Sequence, residues 1–225
     1  MGRPTTILFD FDGTIADTVQ AGVDAFNSLA RDLGFLEITA ENADTLRAVG
    51  PRGAIKELEV PWLRVPAVLR ALRDGVRLAL PTLEPVVGVR SAVLSLRDQG
   101  CRLGIVTSNL ESNVRQFLAH NRMECFDYLQ PGAGFFNKAA KVRLLMAREG
   151  LKFNETAFVG DEIRDVEAAK KNKLAAVGVT WGVNSREGLA GARPDAIVDT
   201  AGELLEYLTA GYRRMSSPRV PIAMQ

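Results

Sequence analysis

The chain has 225 residues, 47% hydrophobic and 24% charged, and its 28 Lys plus Arg against 27 Asp plus Glu leave a formal charge of +1. Such a chain can bury a full-sized core without staples, as one large domain or a core domain with an insertion. The charge balance gives no electrostatic reason to expect nucleic acid or an anionic membrane as a partner, and no apolar run approaches the roughly 20 residues that span a bilayer.

Taken in chain order, Thr6 to Phe9 is a short apolar run bounded by Asp10, which predicts a strand covered on both faces. Val19 to Leu33 carries apolar residues at helical spacing, closed by Gly34. A second helix is expected from Thr39, broken at Gly50-Pro51, and a third over Pro61 to Leu80. A helical block therefore follows a single strand. Beyond Pro85 the pattern alternates. Helices are predicted over Val89–Asp98, Asn113–Asn121, Ala139–Glu149, Arg164–Asn172 and Ala201–Leu208. The strands between them are Arg102–Thr107, Tyr128–Leu129, Thr156–Val159, Ala175–Val179 and Ala196–Val198. That alternation predicts an α/β fold, a Rossmann-like parallel sheet flanked by helices. The segment after about Gly211, of mixed polarity with two prolines, is expected to be disordered or loosely docked.

Ligands of open parallel sheets bind beyond the carboxyl ends of the strands, so the polar residues there carry the functional reading. Asp10 and Asp12 follow the first strand in Asp10-Phe11-Asp12-Gly13-Thr14. Residues two apart in extended chain point the same way, so the pair can bind one cation or divide the labour of nucleophile and acid/base. Gly13 permits a tight turn whose amides face a phosphate. Thr107-Ser108-Asn109 offers a hydroxyl and amides to phosphate oxygens, or a helix cap. Lys138 places an ammonium at a helix start, against the helix dipole, which calls for an anionic partner; Lys141, one turn on, competes for that role. Gly160-Asp161-Glu162-Ile163-Arg164-Asp165 is a second carboxylate cluster, with hard oxygen ligands suited to Mg2+, or a charged helix start.

In these residues and their order, the chain resembles the haloacid dehalogenase superfamily, in its phosphoglycolate-phosphatase-like branch. ILFDFDGT, GIVTSN, Lys138 and FVGDEIRD resemble the family's four motifs in order. The resemblance implies a core domain of residues 1–16 and 86–212, a helical cap of residues 17–85, and a tail of residues 213–225. It implies that Asp10 is the nucleophile and Asp12 the acid/base, and that Thr107 and Lys138, with Ser108 and Asn109, hold the phosphoryl oxygens. Asp10, the backbone carbonyl of Asp12 and Asp161 would hold magnesium, with Asp165, Glu162, Gly13 and Thr14 in support. Two departures stand out: the lysine sits in Asn137-Lys138-Ala139 rather than Gly-Lys-Pro, and position 173, commonly glycine, is Lys173.

The expectation is thus a Mg2+-dependent phosphoric monoester hydrolase acting on a small phosphorylated metabolite through an aspartyl-phosphate. It is expected to be a cytoplasmic monomer or homodimer without nucleic-acid or membrane partners. An acid at Asp12 fits an alkoxide leaving group, which a dehalogenase lacks. A phosphosugar mutase and a non-catalytic binding protein on the same fold are the alternatives. In the helical block, Arg52 is a candidate for a second anionic group of the substrate, or a solvated turn residue. His120, the one histidine, reads as an exposed helix residue, Trp181 as flanking or packing, and Cys101 and Cys125 as small core residues of a reduced protein.

Overall fold

The computed structural model describes residues 4–132 and 137–210. Strand β1 (Thr6–Phe9) is buried at every position. A helical segment follows, with α1 (Val19–Leu33), α2 (Ala40–Glu57) and α3 (Val65–Ala79). Alternation then runs through α4 (Val89–Asp98), β2 (Arg102–Val106), α5 (Glu111–His120), β3 (Tyr128–Gln130), α6 (Lys138–Arg148) and β4 (Thr156–Gly160). It ends with α7 (Ile163–Lys171), β5 (Ala175–Val179), α8 (Arg186–Gly191), β6 (Ala196–Val198) and α9 (Ala201–Thr209). The strands form one parallel sheet in the order β3-β2-β1-β4-β5-β6.

Strand alternation sorts side chains between two cores. Ile7 and Phe9 of β1, with Ala157 and Val159 of β4, join residues of α4, α5 and α9 on one face. Leu8 and Phe158 point the other way and meet Val142 and Leu145 of α6, Val166 of α7 and Leu189 of α8. The helical segment has its own cluster, in which Phe26 and Ala30 of α1 and Leu46 of α2 pack with Leu58, Val60, Val65 and Val68.

The expected elements are found, with four differences. The break at Gly50-Pro51 is a kink inside α2, where Gly50 takes φ 68° and ψ 179°, a conformation that favours glycine. Short 3₁₀ turns replace both ends of the helix expected over Pro61 to Leu80. The helix α5 begins at Glu111 rather than Asn113. The helix α8, absent from the sequence reading, has six residues, two of them glycine, too short for a helical period to register. The expected tail lies outside the described residues. Among the described residues, no helix is long and apolar enough to cross a membrane. Cys101 is buried and Cys125 half-buried.

Lys173 has φ 59°. It closes α7, with its N–H donating to Lys170 O at 3.0 Å and Leu174 N–H to Ala169 O at 3.0 Å. Glycine carries no Cβ penalty there, and an L side chain costs roughly 1–2 kcal/mol. Lys173→Gly is expected to raise unfolding stability by about 1 kcal/mol, less what the looser unfolded chain takes back, read as a higher urea midpoint. Phe117, 1% exposed, meets the ring of Phe11 edge-on at 5.2 Å under the Asp10–Asp12 turn. Phe117→Ala is expected to lower stability by about 3–5 kcal/mol in the same assay.

Candidate active site

The chain order of the sheet sets the place of the site. β1 pairs with β2 on one side and β4 on the other, with Phe9 opposite both Ile105 and Val159. The residues just beyond these three strand ends therefore meet at the point where the strand order reverses, the usual crevice of an open α/β sheet.

Asp10 is 2% exposed. Its Oδ1 accepts the N–H of Phe11 at 2.8 Å, and its Oδ2 lies 2.6 Å from Lys138 Nζ. Lys138, first residue of α6, is 3% exposed and also forms an ion pair with Asp165. Its ammonium lies 5.9 Å from the centre of the Phe158 ring. Burial works against the lysine's charge, but Asp10 and Asp165 outweigh it and raise its pKa. The ammonium that meets Asp10 is therefore that of Lys138 rather than Lys141.

Asp161 is fully buried. Oδ1 accepts from Thr14 Oγ1 at 2.6 Å and Oδ2 from the N–H of Val183 at 2.8 Å. Two glycines make room for it. A Cβ at Gly13, which has φ 75°, would stand 2.5 Å from Asp161 Oδ2, and one at Gly182 would overlap the same carboxylate. Trp181 donates from its indole N–H to Thr14 O at 3.1 Å, holding the turn that carries Thr14. Asp165 accepts the N–H of Glu162 at 3.0 Å on the oxygen that does not face Lys138. Glu162 pairs with Arg164, whose pKa, lowered by burial, is raised on balance by Glu162, Asp165 and Asp10.

One oxygen from each of Asp10, Asp161 and Asp165 lies within 4.8 Å of the others. Three buried carboxylates so close suit a small hard cation. Burial, then the charges of Glu162, Asp165 and Asp10, push Asp161 well above the ordinary carboxylate range. Burial also pushes Asp165 up, against the pull of Lys138. A divalent cation would relieve that repulsion, so the residues fit such an ion. The sequence reading named Asp10, Asp12 and Asp161, with Asp12 acting through its carbonyl; the Asp12 carboxylate lies outside this group. It accepts instead from Asn109 Nδ2 at 3.2 and 3.4 Å. Burial and the charge of Asp10 raise the Asp12 pKa from 3.8 to about 7, against the Asn109 hydrogen bond.

Thr107 is fully buried, its N–H donating to Gln130 O at 3.1 Å and its Oγ1 accepting the N–H of Asn109 at 2.9 Å. Ser108 is half-buried beside it. Arg52 stays on the surface, 3.7 Å from Glu167 of α7, and His120 is exposed. The sequence reading gave no role to Arg164, Gly182 or Asn184. Arg164 was legible as a cation amid acids at a helix start. The other two act through partners remote in sequence.

The chain matches the family model of haloacid dehalogenase-like hydrolases over residues 7–179. It belongs to that family. Over 90% of its length it is 35% identical to a phosphoglycolate phosphatase from Synechococcus elongatus, covering 96% of that protein. It is 27% identical to the pyrophosphatase PpaX of Anoxybacillus flavithermus, covering 90% of this chain and 96% of that one. Among solved structures, a predicted phosphatase from Clostridium acetobutylicum superposes with TM-score 0.76 at 22% identity, covering 93% of this chain and 100% of that one. A haloacid dehalogenase-like hydrolase from Streptococcus pneumoniae gives 0.74 at 18% identity, covering 91% and 98%. These likenesses bear out the expected fold. The expected enzyme class holds at the level of a phosphatase, and the relatives give no support to the mutase or the binding protein.

Removing Lys138 leaves Asp10 and Asp165 buried without their cation. Lys138→Met is expected to cost about 3–5 kcal/mol of stability and nearly all activity. Lys141 is half-buried and outside the ion pairs of the site, so Lys141→Met should leave turnover within about threefold; comparable losses in both would mean that the wrong lysine is assigned. Asp12 and Asp161 have folded pKa values above their unfolded ones, so the fold binds their protons more tightly. Stability without metal should then fall as pH rises from about 4 towards 7 and above. Thermal melts in chelator are expected to show that slope, magnesium to oppose it near neutral pH, and Asp161→Asn to flatten it and remove the magnesium shift.

Proposed function

We propose that the protein is a magnesium-dependent phosphatase of small phosphorylated metabolites, phosphoglycolate-like in substrate, in which Asp10 attacks phosphorus. The observation that carries this reading is the meeting of Asp10, Lys138, Asp161 and Asp165 beyond three adjacent strand ends, with Asp12 two residues from Asp10. The similarity to the Synechococcus phosphoglycolate phosphatase supports the substrate class.

Lys138 holds Asp10 in place and binds a phosphoryl oxygen, together with the Thr107 hydroxyl and the amides of the Thr107–Asn109 turn. Held by Asp10, Asp161 and Asp165, and by the carbonyl of Asp12, a magnesium ion would offset the charge of carboxylate and phosphate as they approach. Transfer to the Asp10 carboxylate breaks the bond from phosphorus to the leaving oxygen and splits one hard step into two. Asp12, kept near Asn109 in surroundings that favour its protonated form, delivers a proton to the leaving oxygen. It then takes one from the water that attacks the aspartyl-phosphate. Placement and electrostatics supply the rest. Residues 17–85 act as a cap over a core of residues 1–16 and 86–212, and Thr14, Gly13 and Glu162 hold the acidic loops. Arg52 faces Glu167 at the surface and would have to turn from that partner to meet a second anionic group of the substrate.

The purified protein with magnesium is expected to hydrolyse an aryl phosphate and phosphoglycolate. A single turnover in oxygen-18 water should leave the label in phosphate, with none in Asp10, since water attacks phosphorus of the aspartyl-phosphate. Asp10→Asn should abolish turnover by roughly 10³-fold or more, as loss of a nucleophile does. Asp12→Asn should cost on the order of a hundredfold, and more with phosphoglycolate than with the aryl ester, whose leaving group needs no proton. Undiminished turnover in Asp10→Asn would end the proposal.

A further inference from the structure

The segment 180–185, between β5 and α8, links the carboxylate cluster to the kinked helix α2. Asn184 lies at its centre and is fully buried. Its backbone N–H donates to the Asp161 carbonyl at 3.2 Å, next to the Val183 N–H that holds the Asp161 carboxylate. Its side chain faces two ways. Oδ1 accepts the N–H of Ile163 at 3.1 Å, a first-turn amide of α7 that has no acceptor within its own helix. Nδ2 donates to the carbonyl of Arg47 in α2 at 2.9 Å. The same carbonyl accepts the N–H of Ser185 at 3.0 Å, and the Arg47 guanidinium donates to Thr180 O at 2.7 Å. A Cβ at Gly50 would stand 2.6 Å from Asn184 Nδ2, so the kink glycine is also what lets α2 come this close.

This seam is polar. Leu46 of α2 packs into the helical segment's own cluster rather than into either sheet core. Arg47 Nε is buried and has no hydrogen-bond partner among the described residues, which works against the seated arrangement. Water can replace each hydrogen bond at small net cost, whereas the apolar clusters on either side stay whole. The seam is therefore the place where the two parts separate most easily.

We propose that Asn184 is a positioning residue that ties the seating of α2 to the placement of Asp161 and the first turn of α7, so that the carboxylate cluster is correctly set only when α2 is seated. Its catalytic consequence rests on the phosphatase reading; the coupling itself does not. An asparagine suits the task because one planar group offers a donor to the cap and an acceptor to the core. Supporting partners of metal-holding carboxylates typically matter 10–100-fold for metal affinity or activity.

The test uses the full chain and two variants. Asn184→Asp keeps the acceptor for Ile163 and sets an oxygen against the Arg47 carbonyl. Gly188→Ala keeps the asparagine, but its Cβ would stand 2.6 Å from Ala48 O, 3.0 Å from Arg47 O and 3.1 Å from Asn184 Nδ2, pressing α2 off the core and crowding the amide that reaches it. Amide hydrogen exchange in the metal-free protein is expected to quicken tenfold or more over residues 44–50 in both variants, with β1 and β4 unchanged. With magnesium and an aryl phosphate, both should lower kcat and need about 10-fold more magnesium for half-maximal rate. Unchanged exchange of α2 in both variants overturns the proposal, as does faster exchange with unaltered kcat and magnesium dependence. If Asn184→Asp disturbs the sheet, Gly188→Ala decides alone. A wild-type protein without phosphatase activity would sink the functional reading and leave the exchange measurement to judge whether Asn184 holds α2 in its seat.

Discussion

The ammonium of Lys138, enclosed between Asp10 and Asp165, is the contact on which the site depends. Carboxylates cannot be buried in number without compensation. Here Asp10, Asp161, Glu162 and Asp165 are buried and Asp12 half-buried, while the cations among them are Lys138 and Arg164. The excess negative charge has no use in holding the fold together. It has a use if a divalent ion and a phosphoryl group are to be gathered at one point, which is the usual origin of groups whose protonation equilibria are pushed far from normal.

The sheet makes this concentration of charge possible. The acidic residues sit where backbone runs out of the β ladder, on turns anchored from below by buried aromatic and aliphatic side chains. Phe11 lies between the two acids of the first turn and points into the core against Phe117, so Asp10 and Asp12 are carried by a residue that cannot move without opening a cavity. On the other side, Gly13 and Gly182 admit the Asp161 carboxylate to a space that any side chain would close. Rigid scaffolding below and absent side chains beside it fix the carboxylates from different directions.

Much of this was legible in the residues. Four-to-five-residue apolar runs ending in Asp10, Thr107 and Asp161 gave away the strands and the polar positions beyond them, because period and position alone place such residues. The choice between Lys138 and Lys141 was not legible: one helical turn separates them, and only the packing of α6 on the sheet decides which points inward. Asp165 was legible as a supporting member of the acidic cluster, but its place beside Asp10 and Asp161 depends on how α7 leaves β4. Asn184 gave no signal at all. Its partner Arg47 is 137 residues away in sequence, and no local pattern encodes a meeting between a loop and a separate helical segment. The six-residue α8 escaped for the opposite reason, being too local to show a period.

The central position of β1 also bears on how the protein is made. Thr6 pairs with Arg102 on one side and Thr156 on the other, so the strand that carries Asp10 is synthesised first and completed late. Helices α1 to α3 are neighbours in sequence with a cluster of their own and can collapse early, while β1 waits for partners roughly 100 and 150 residues downstream. Pairings that distant are slow to form, and until they do, β1 is an apolar strand with open edges, the kind that invites association between nascent chains. Placing Asp10 at the end of a strand inside the sheet thus makes the assembled carboxylate site one of the last properties the growing polypeptide acquires.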